Sequence, residues 1–407
     1  MLCNRWLCAL LTTAIAAQTP AVVARTSTKE MMRALDQLEP KGGWLATPPG
    51  LSGELWRYYR GAYGFDPKDN ERNEARVGLG RILFFDKRLS RDRTVSCASC
   101  HDPKYGFSEP RDRSAGINGQ TSSRNAPTLM NAAFQRSMFW DGRRGTLEDQ
   151  AAGPILNPME MGMPDGAAVE ARVKEVPEYV ALFEFAYNRP PTFEDISRAL
   201  AAFQRTLVFL DAPFDAYRAG QADAISEAAQ RGFDLFAEHC TSCHPISLRA
   251  PLLSDGNFHN VGVGFASHDH QALARAAFPK LRAADRGPAG RVDEIIGEYG
   301  ELGRALVSKL EYQVGAFRTA TLRNVALTAP YMHDGSLATL RDVVDHYNRG
   351  GTPNTWQDPQ ITELKLTDTE VDQVVAFLFS LTDRRFAAQN RAAIQIQQRA
   401  TTANKEK

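Results

Sequence analysis

Two pentapeptides carry most of the chemistry in this sequence: CASCH at 97–101 and CTSCH at 240–244. Each sets two thiols three residues apart and follows them directly with an imidazole. A single Cys-x-x-Cys-His is ambiguous, because a redox dithiol or half of a zinc site has the same spacing. Two copies narrow the choice. Four of the six cysteines, Cys97, Cys100, Cys240 and Cys243, fall in the two motifs, while Cys3 and Cys8 lie near the N-terminus. A disulfide or a zinc site would leave both histidines without a role. Covalent attachment of two haem c groups uses every residue of both motifs, with His101 and His244 as proximal iron ligands. Function then turns on the sixth position of each iron. Strong ligands on both leave an electron carrier, whereas an open position lets a small molecule such as peroxide bind.

The N-terminus reads as an export signal. Arg5 precedes an apolar run from Trp6 to about Ala17, and Ala14-x-Ala16 and Val22-x-Ala24 both offer cleavage sites. The run is too short for a spanning helix, which disfavours an uncleaved anchor. Residues 1–24 are therefore expected to be a signal peptide, and the mature protein a periplasmic one without a membrane span. The formal net charge is zero over 407 residues. That gives no sign of a nucleic-acid binder or a polybasic membrane anchor and says nothing about any specific partner.

Two such motifs about 140 residues apart need two sets of positioning elements. Leu79, Ile82 and Leu83 precede the first at helical spacing, and Phe233, Phe236 and Ala237 precede the second. Ser226 suits the N-cap of that second helix. The stretch 191–210 reads as one long helix closing the first unit, and the polar segment near Gly220 as the boundary. Gly and Pro are scattered through 110–166 and 250–300, as suits loops wrapped around a cofactor. The expected fold is mostly α: two cytochrome c-like haem domains packed together, loop-rich, at 71–220 and 221–385. Residues 25–70 form an N-terminal extension of unassigned role, and 386–407 a polar tail, helical at first and then frayed. His259, His268 and His270 lie between the haem units, where a solvated or hydrogen-bonding role is favoured over ligation.

From about Val77 to Leu381 the chain resembles the bacterial di-haem cytochrome c peroxidases, and within them the MauG-type branch. The matching stretches are CASCHDPKYGFSE, RNAPTLMNAAF (124–134), FWDGRRGTLEDQAAGPI (139–155), NPMEMG (157–162), CTSCHP, FRTATLRNVALTAPYMHDGSLATL (317–340) and DVVDHYNRGG (342–351). In the peroxidase branch a loop histidine caps the first haem until the enzyme is reduced. Ile117 stands at that place here, and no histidine occurs between His101 and His239. The first haem is therefore expected to be open. The resemblance implies that Tyr347, fourteen residues after His333, is the second ligand of the second iron, where peroxidases usually carry methionine. Tyrosinate is a hard anionic donor that favours oxidised iron. The alternative is that Tyr347 packs in a helix while His346 or Met332 binds iron.

The resemblance also implies roles elsewhere. Trp140 would relay electrons between the haems, although a buried Trp in such a loop is also an ordinary core residue. Gln150, Pro154 and Glu160 would form the pocket above the first iron. Glu160 is its one ionisable member, which makes it the acid/base candidate, the bland alternative being a surface carboxylate. Arg318 is grouped with these catalytic residues. A calcium ion would lie between the haems on the Asn125 side chain and the carbonyls of Thr328 and Pro330.

The leading expectation is an enzyme that takes hydrogen peroxide at the first haem and draws electrons from a protein through the second. The MauG-type form oxidises side chains of a partner protein, typically tryptophan. A detoxifying peroxidase would instead be fed by a reduced cytochrome c or cupredoxin. A di-haem electron carrier without peroxide chemistry is the non-enzymatic reading.

Overall fold

The computed structural model describes residues 27–282 and 288–405; the expected signal peptide lies outside them. The chain is mostly helical, as expected. The α-helices are α1 Thr28–Asp36, α2 Gly53–Ala62, α3 Glu74–Phe85, α4 Leu147–Leu156, α5 Gly166–Lys174, α6 Pro177–Tyr187, α7 Phe193–Gln204 and α8 Pro213–Arg218. They continue as α9 Glu227–His239, α10 His270–Arg282, α11 Pro288–Tyr299, α12 Ala305–Ser308, α13 Leu340–Asn348, α14 Asp368–Ser380 and α15 Ala387–Lys405. The two short strands, β1 Phe258–His259 and β2 Phe317–Arg318, pair antiparallel.

Local sequence explains where the key helices begin. Asn73 accepts the Arg76 amide at 2.9 Å to start α3, and Ser226 accepts the Ala229 amide at 3.2 Å to start α9. Reciprocal Thr–Asp and Thr–Glu boxes open α13 at Thr339 and α14 at Thr367. Long-range packing then repeats one arrangement twice. Helix α3, before the first haem motif, crosses α7 so closely that a Cβ on Gly80 would collide with the Ala199 carbonyl. Helix α9, before the second, crosses α14 with Gly232 against the Gln373 carbonyl. Each crossing needs a residue without a side chain.

Three expectations change. Ile82 is 44% exposed, while Leu79 and Leu83 are buried. At 100° per residue, Leu79 and Leu83 share the core face and Ile82 turns out of it. Ala237 is likewise exposed, and Phe236 takes the core position. The long helix expected over 191–210 ends at Gln204, because Asn131 claims the following backbone. Its side-chain oxygen accepts the Phe209 amide at 2.7 Å, its NH2 donates to the Phe209 carbonyl at 3.0 Å, and its own amide donates to the Leu207 carbonyl at 2.8 Å. The tail, expected to be helical at first and then to fray, runs as the helix α15 to Lys405. Its Gln397 is buried, accepting the Leu340 amide at 2.7 Å and donating to the Tyr331 hydroxyl at 2.9 Å.

The N-terminal extension has a structural place. Met31 and Leu35 of α1 join the core around α3 and α7, and Trp56 and Tyr59 of α2 pack on Phe65 and Phe134. The Tyr59 and Tyr63 hydroxyls donate to the Leu248 and Arg249 carbonyls at 2.7 and 2.6 Å, just beyond the second haem motif. Among the described residues, no helix is long and apolar enough to cross a membrane.

Candidate functional site

Each Cys-x-x-Cys-His motif borders its own cavity. His101 lies in the wall of the first and His244 in the wall of the second. The Nδ1–H of His101 donates to the Phe107 carbonyl at 3.1 Å, and that of His244 to the Leu253 carbonyl at 2.7 Å. A backbone acceptor at Nδ1 selects the tautomer whose Nε2 lone pair can hold a metal. Burial pushes the Cys97 and Cys240 thiols up to about 12, so neither is a ready thiolate. All four motif cysteines are free of disulfides. Two disulfide-free thiols beside an oriented imidazole in each motif fit thioether attachment of a haem.

The first cavity is walled by α4, by the turn around Glu160 and by the segment 122–143. Gln150, Pro154 and Glu160 all line it, so residues distant in sequence converge. Burial raises the Glu160 carboxyl above its ordinary value, against the nearby charge of Arg143 and a 2.8 Å hydrogen bond from the Asn157 NH2. Ile117 is fully packed, and its amide donates to the Glu160 carbonyl at 2.9 Å. The loop around Ile117 thus supports the Glu160 turn.

The second cavity is lined by Tyr347, Met332 and His333 as well as the haem motif. His346 is turned away, with its Nε2 2.8 Å from the Val261 carbonyl. Neighbours on a helix point about 100° apart, so only one of the pair can face the cavity. Burial pushes the Tyr347 phenol well above its ordinary value, and among the described residues its hydroxyl has no hydrogen-bond partner. A cation in front of the hydroxyl would lower that value and favour the phenolate.

Asn125, Gln135, Trp140 and Arg318 line both cavities. The Trp140 indole N–H donates to the Asn125 carbonyl at 2.9 Å, and the Arg318 amide donates to the Trp140 carbonyl at 2.8 Å. Arg318 is buried, yet its guanidinium meets backbone carbonyls, those of Phe139 at 3.3 Å and Thr319 at 3.5 Å, and no carboxylate among the described residues. Burial lowers it to about 10. Asp141 offsets only part of that cost from a distance, and the propionates of two haems are anions of the kind that could pair with Arg318 directly. Haem therefore suits both cavities. The other expected ion ligands also gather here: Asn125, Thr328 and Pro330 share the wall of the second cavity.

Two features escaped the sequence reading. Asp141 is fully buried between Arg124 (2.8 Å) and Arg143 (3.0 Å), and Arg124 reaches on to the Gly300 carbonyl. Burial alone would raise the Asp141 carboxyl, but the two arginines outweigh it and hold it below its ordinary value. Glu301 meets His333 Nε2 at 2.9 Å. Burial opposes its charge, yet His333 brings its pKa down to about 2. Nothing in local periodicity marks either pair. His259 is held between Asp358 (2.6 Å) and Asp255 (3.0 Å), so it hydrogen-bonds as expected. The metal-like trio Cys243, Asp255 and His259 includes a haem-motif cysteine.

The chain matches known proteins over most of its length. The profile of the di-haem cytochrome c peroxidase family matches residues 74–223. The methylamine utilization protein MauG of Methylorubrum extorquens is 36% identical, over 77% of this chain and 80% of its own length. Cytochrome-c peroxidase IdrP1 of a Pseudomonas species is 34% identical, over 77% of this chain and 83% of its own. A solved MauG-like protein associated with microbial copper homeostasis superposes with a TM-score of 0.65 at 32% identity, covering 78% of this chain and 92% of that one. The chain belongs to the di-haem cytochrome c peroxidase family, a class of haem c oxidoreductases to which MauG is also related.

Proposed function

We propose that this protein is a periplasmic MauG-type enzyme that reacts with hydrogen peroxide at the first haem and takes electrons from side chains of a partner protein through the second. The observation that carries this reading is Tyr347, a phenol without a polar partner at the second cavity where His346 is turned away. The MauG-like copper-homeostasis protein supports it as a relative of the same fold. Relatives named cytochrome-c peroxidase favour a second reading, in which a reduced cytochrome c or cupredoxin donates the electrons.

Bound haem supplies iron to take the peroxide and a π-system to pass electrons. The protein's own groups do the rest. Reduction of H2O2 to two waters consumes two protons and two electrons. The Glu160 carboxylate would accept the proton of the nearer oxygen and return it to the farther one, with Asn157 fixing its orientation. Trp140, in the wall shared by both cavities, would relay the electrons. Arg318 would pair with haem carboxylates, and Tyr347 as an anion would hold the second iron in its oxidised form. Asn125, Thr328 and Pro330 would hold Ca2+ between the units.

The two cavities differ in a way that suits two kinds of partner. Every wall residue of the first is buried or half-buried, whereas Ser242, Gln360 and Thr362 of the second are exposed. A small oxidant suits the first and a protein surface the second. Tyr347→Phe removes the proposed oxygen donor while keeping the ring. The second haem should then change its visible and near-infrared bands and rise in potential. An unchanged spectrum would transfer the ligand role to Met332.

A further inference from the structure

We infer that Ile296 on α11 sets the size limit for the oxidant at the first cavity, admitting hydrogen peroxide and excluding alkyl hydroperoxides. This rests on the reading that peroxide reacts there. Apart from Arg318, all other residues in that wall lie between Phe84 and Gln204. Ile296 is contributed from the other half of the chain and is only 4% exposed. It closes a wall from outside.

Several contacts place α11 on the Glu160 side of the cavity. Asp293, one turn before Ile296, pairs with Arg143 at 2.8 Å and also with Arg144. Its charge reaches Glu160 itself. The side chain of Met159, the neighbour of Glu160, packs against Gly297, where an added Cβ would lie 3.1 Å from the methionine methyl. Val292 and Ile296 meanwhile anchor the inner face of α11 in the cluster formed with Leu281, Leu302 and Leu306. The helix is thus pinned on both faces, and Ile296 has little freedom to swing aside. A β-branched side chain held this way is a stiff wall. An aliphatic side chain offers an oxidant no polar contact, so any selection it makes is by volume.

The test compares the ferric holoprotein with Ile296→Ala and with the milder Ile296→Val. Two quantities are read: the ratio of second-order rate constants for tert-butyl hydroperoxide and H2O2, and the spectral Kd of the first haem for 4-phenylimidazole relative to cyanide. In Ile296→Ala the peroxide ratio should rise about tenfold or more, within the range for relieving a steric exclusion of this size. The relative affinity for 4-phenylimidazole should rise with it. Ile296→Val should shift both in the same direction by less, which guards against a folding defect in the alanine variant. If H2O2 reacts but both ratios stay within twofold in both variants, Ile296 is not the size limit. If H2O2 does not react at all, the reading of the first cavity fails and takes this inference with it.

Discussion

Replacing Glu160 with glutamine slows the reaction of the ferric protein with H2O2 by about a hundredfold or more, the usual loss when a positioned acid/base is removed. Glutamine keeps the size of the side chain and its bond to Asn157 within reach, so the loss reports proton transfer and not collapse of the pocket. The pH dependence gives a second signature. Glu160 must be ionised to accept a proton, and burial raises its pKa above the ordinary 4.5. Between the ordinary value and the raised one, much of the carboxyl stays protonated and inactive. The rate should therefore climb with pH through a midpoint above 4.5 and then level, while Glu160→Gln should show no such rise. A variant as fast as the parent, with the same pH profile, would remove Glu160 from the chemistry.

The second large effect is on stability. Asp141→Asn takes the shared counter-charge from Arg124 and Arg143, both packed away from water. Breaking a buried ionic cluster on one side costs about 3–5 kcal/mol, because the remaining charges are left without compensation. Arg143 keeps Asp293, so the damage should fall mainly on Arg124 and on its reach to the Gly300 carbonyl. The urea midpoint of the holoprotein should fall accordingly. A shift worth under about 1 kcal/mol would mean that water or a rearranged Arg124 makes good the loss.

Much of this site is legible in the sequence because its chemistry is local. A Cys-x-x-Cys-His motif fixes two thiols and an imidazole within one turn; Tyr347, which only the family resemblance singles out, does face the second cavity. Ser226 could be read as a cap from its hydroxyl and its place before α9. What stayed hidden depends on groups far apart in the chain. Asp141 lies in a stretch that carries the family resemblance, but its role appears only when Arg124 and Arg143 close around it. Helix α7 stops at Gln204 because Asn131, more than seventy residues earlier, bonds the next stretch of backbone. Polar composition suggested a tail that frays after a helical start, yet one buried glutamine docks α15 against Leu340 and Tyr331. Ile296 belongs to a helix that no motif connects to the first haem.

The most direct test of the central claim is to add one equivalent of H2O2 to the fully ferric protein without prior reduction and follow the visible and near-infrared spectra. The expected result is a rapid change at both haems and a long-lived oxidised state, as an open first haem coupled to a Tyr347-held second one requires. No reaction until one electron has been added would contradict it, since it would mean that the first iron is capped despite the absence of a histidine between His101 and His239.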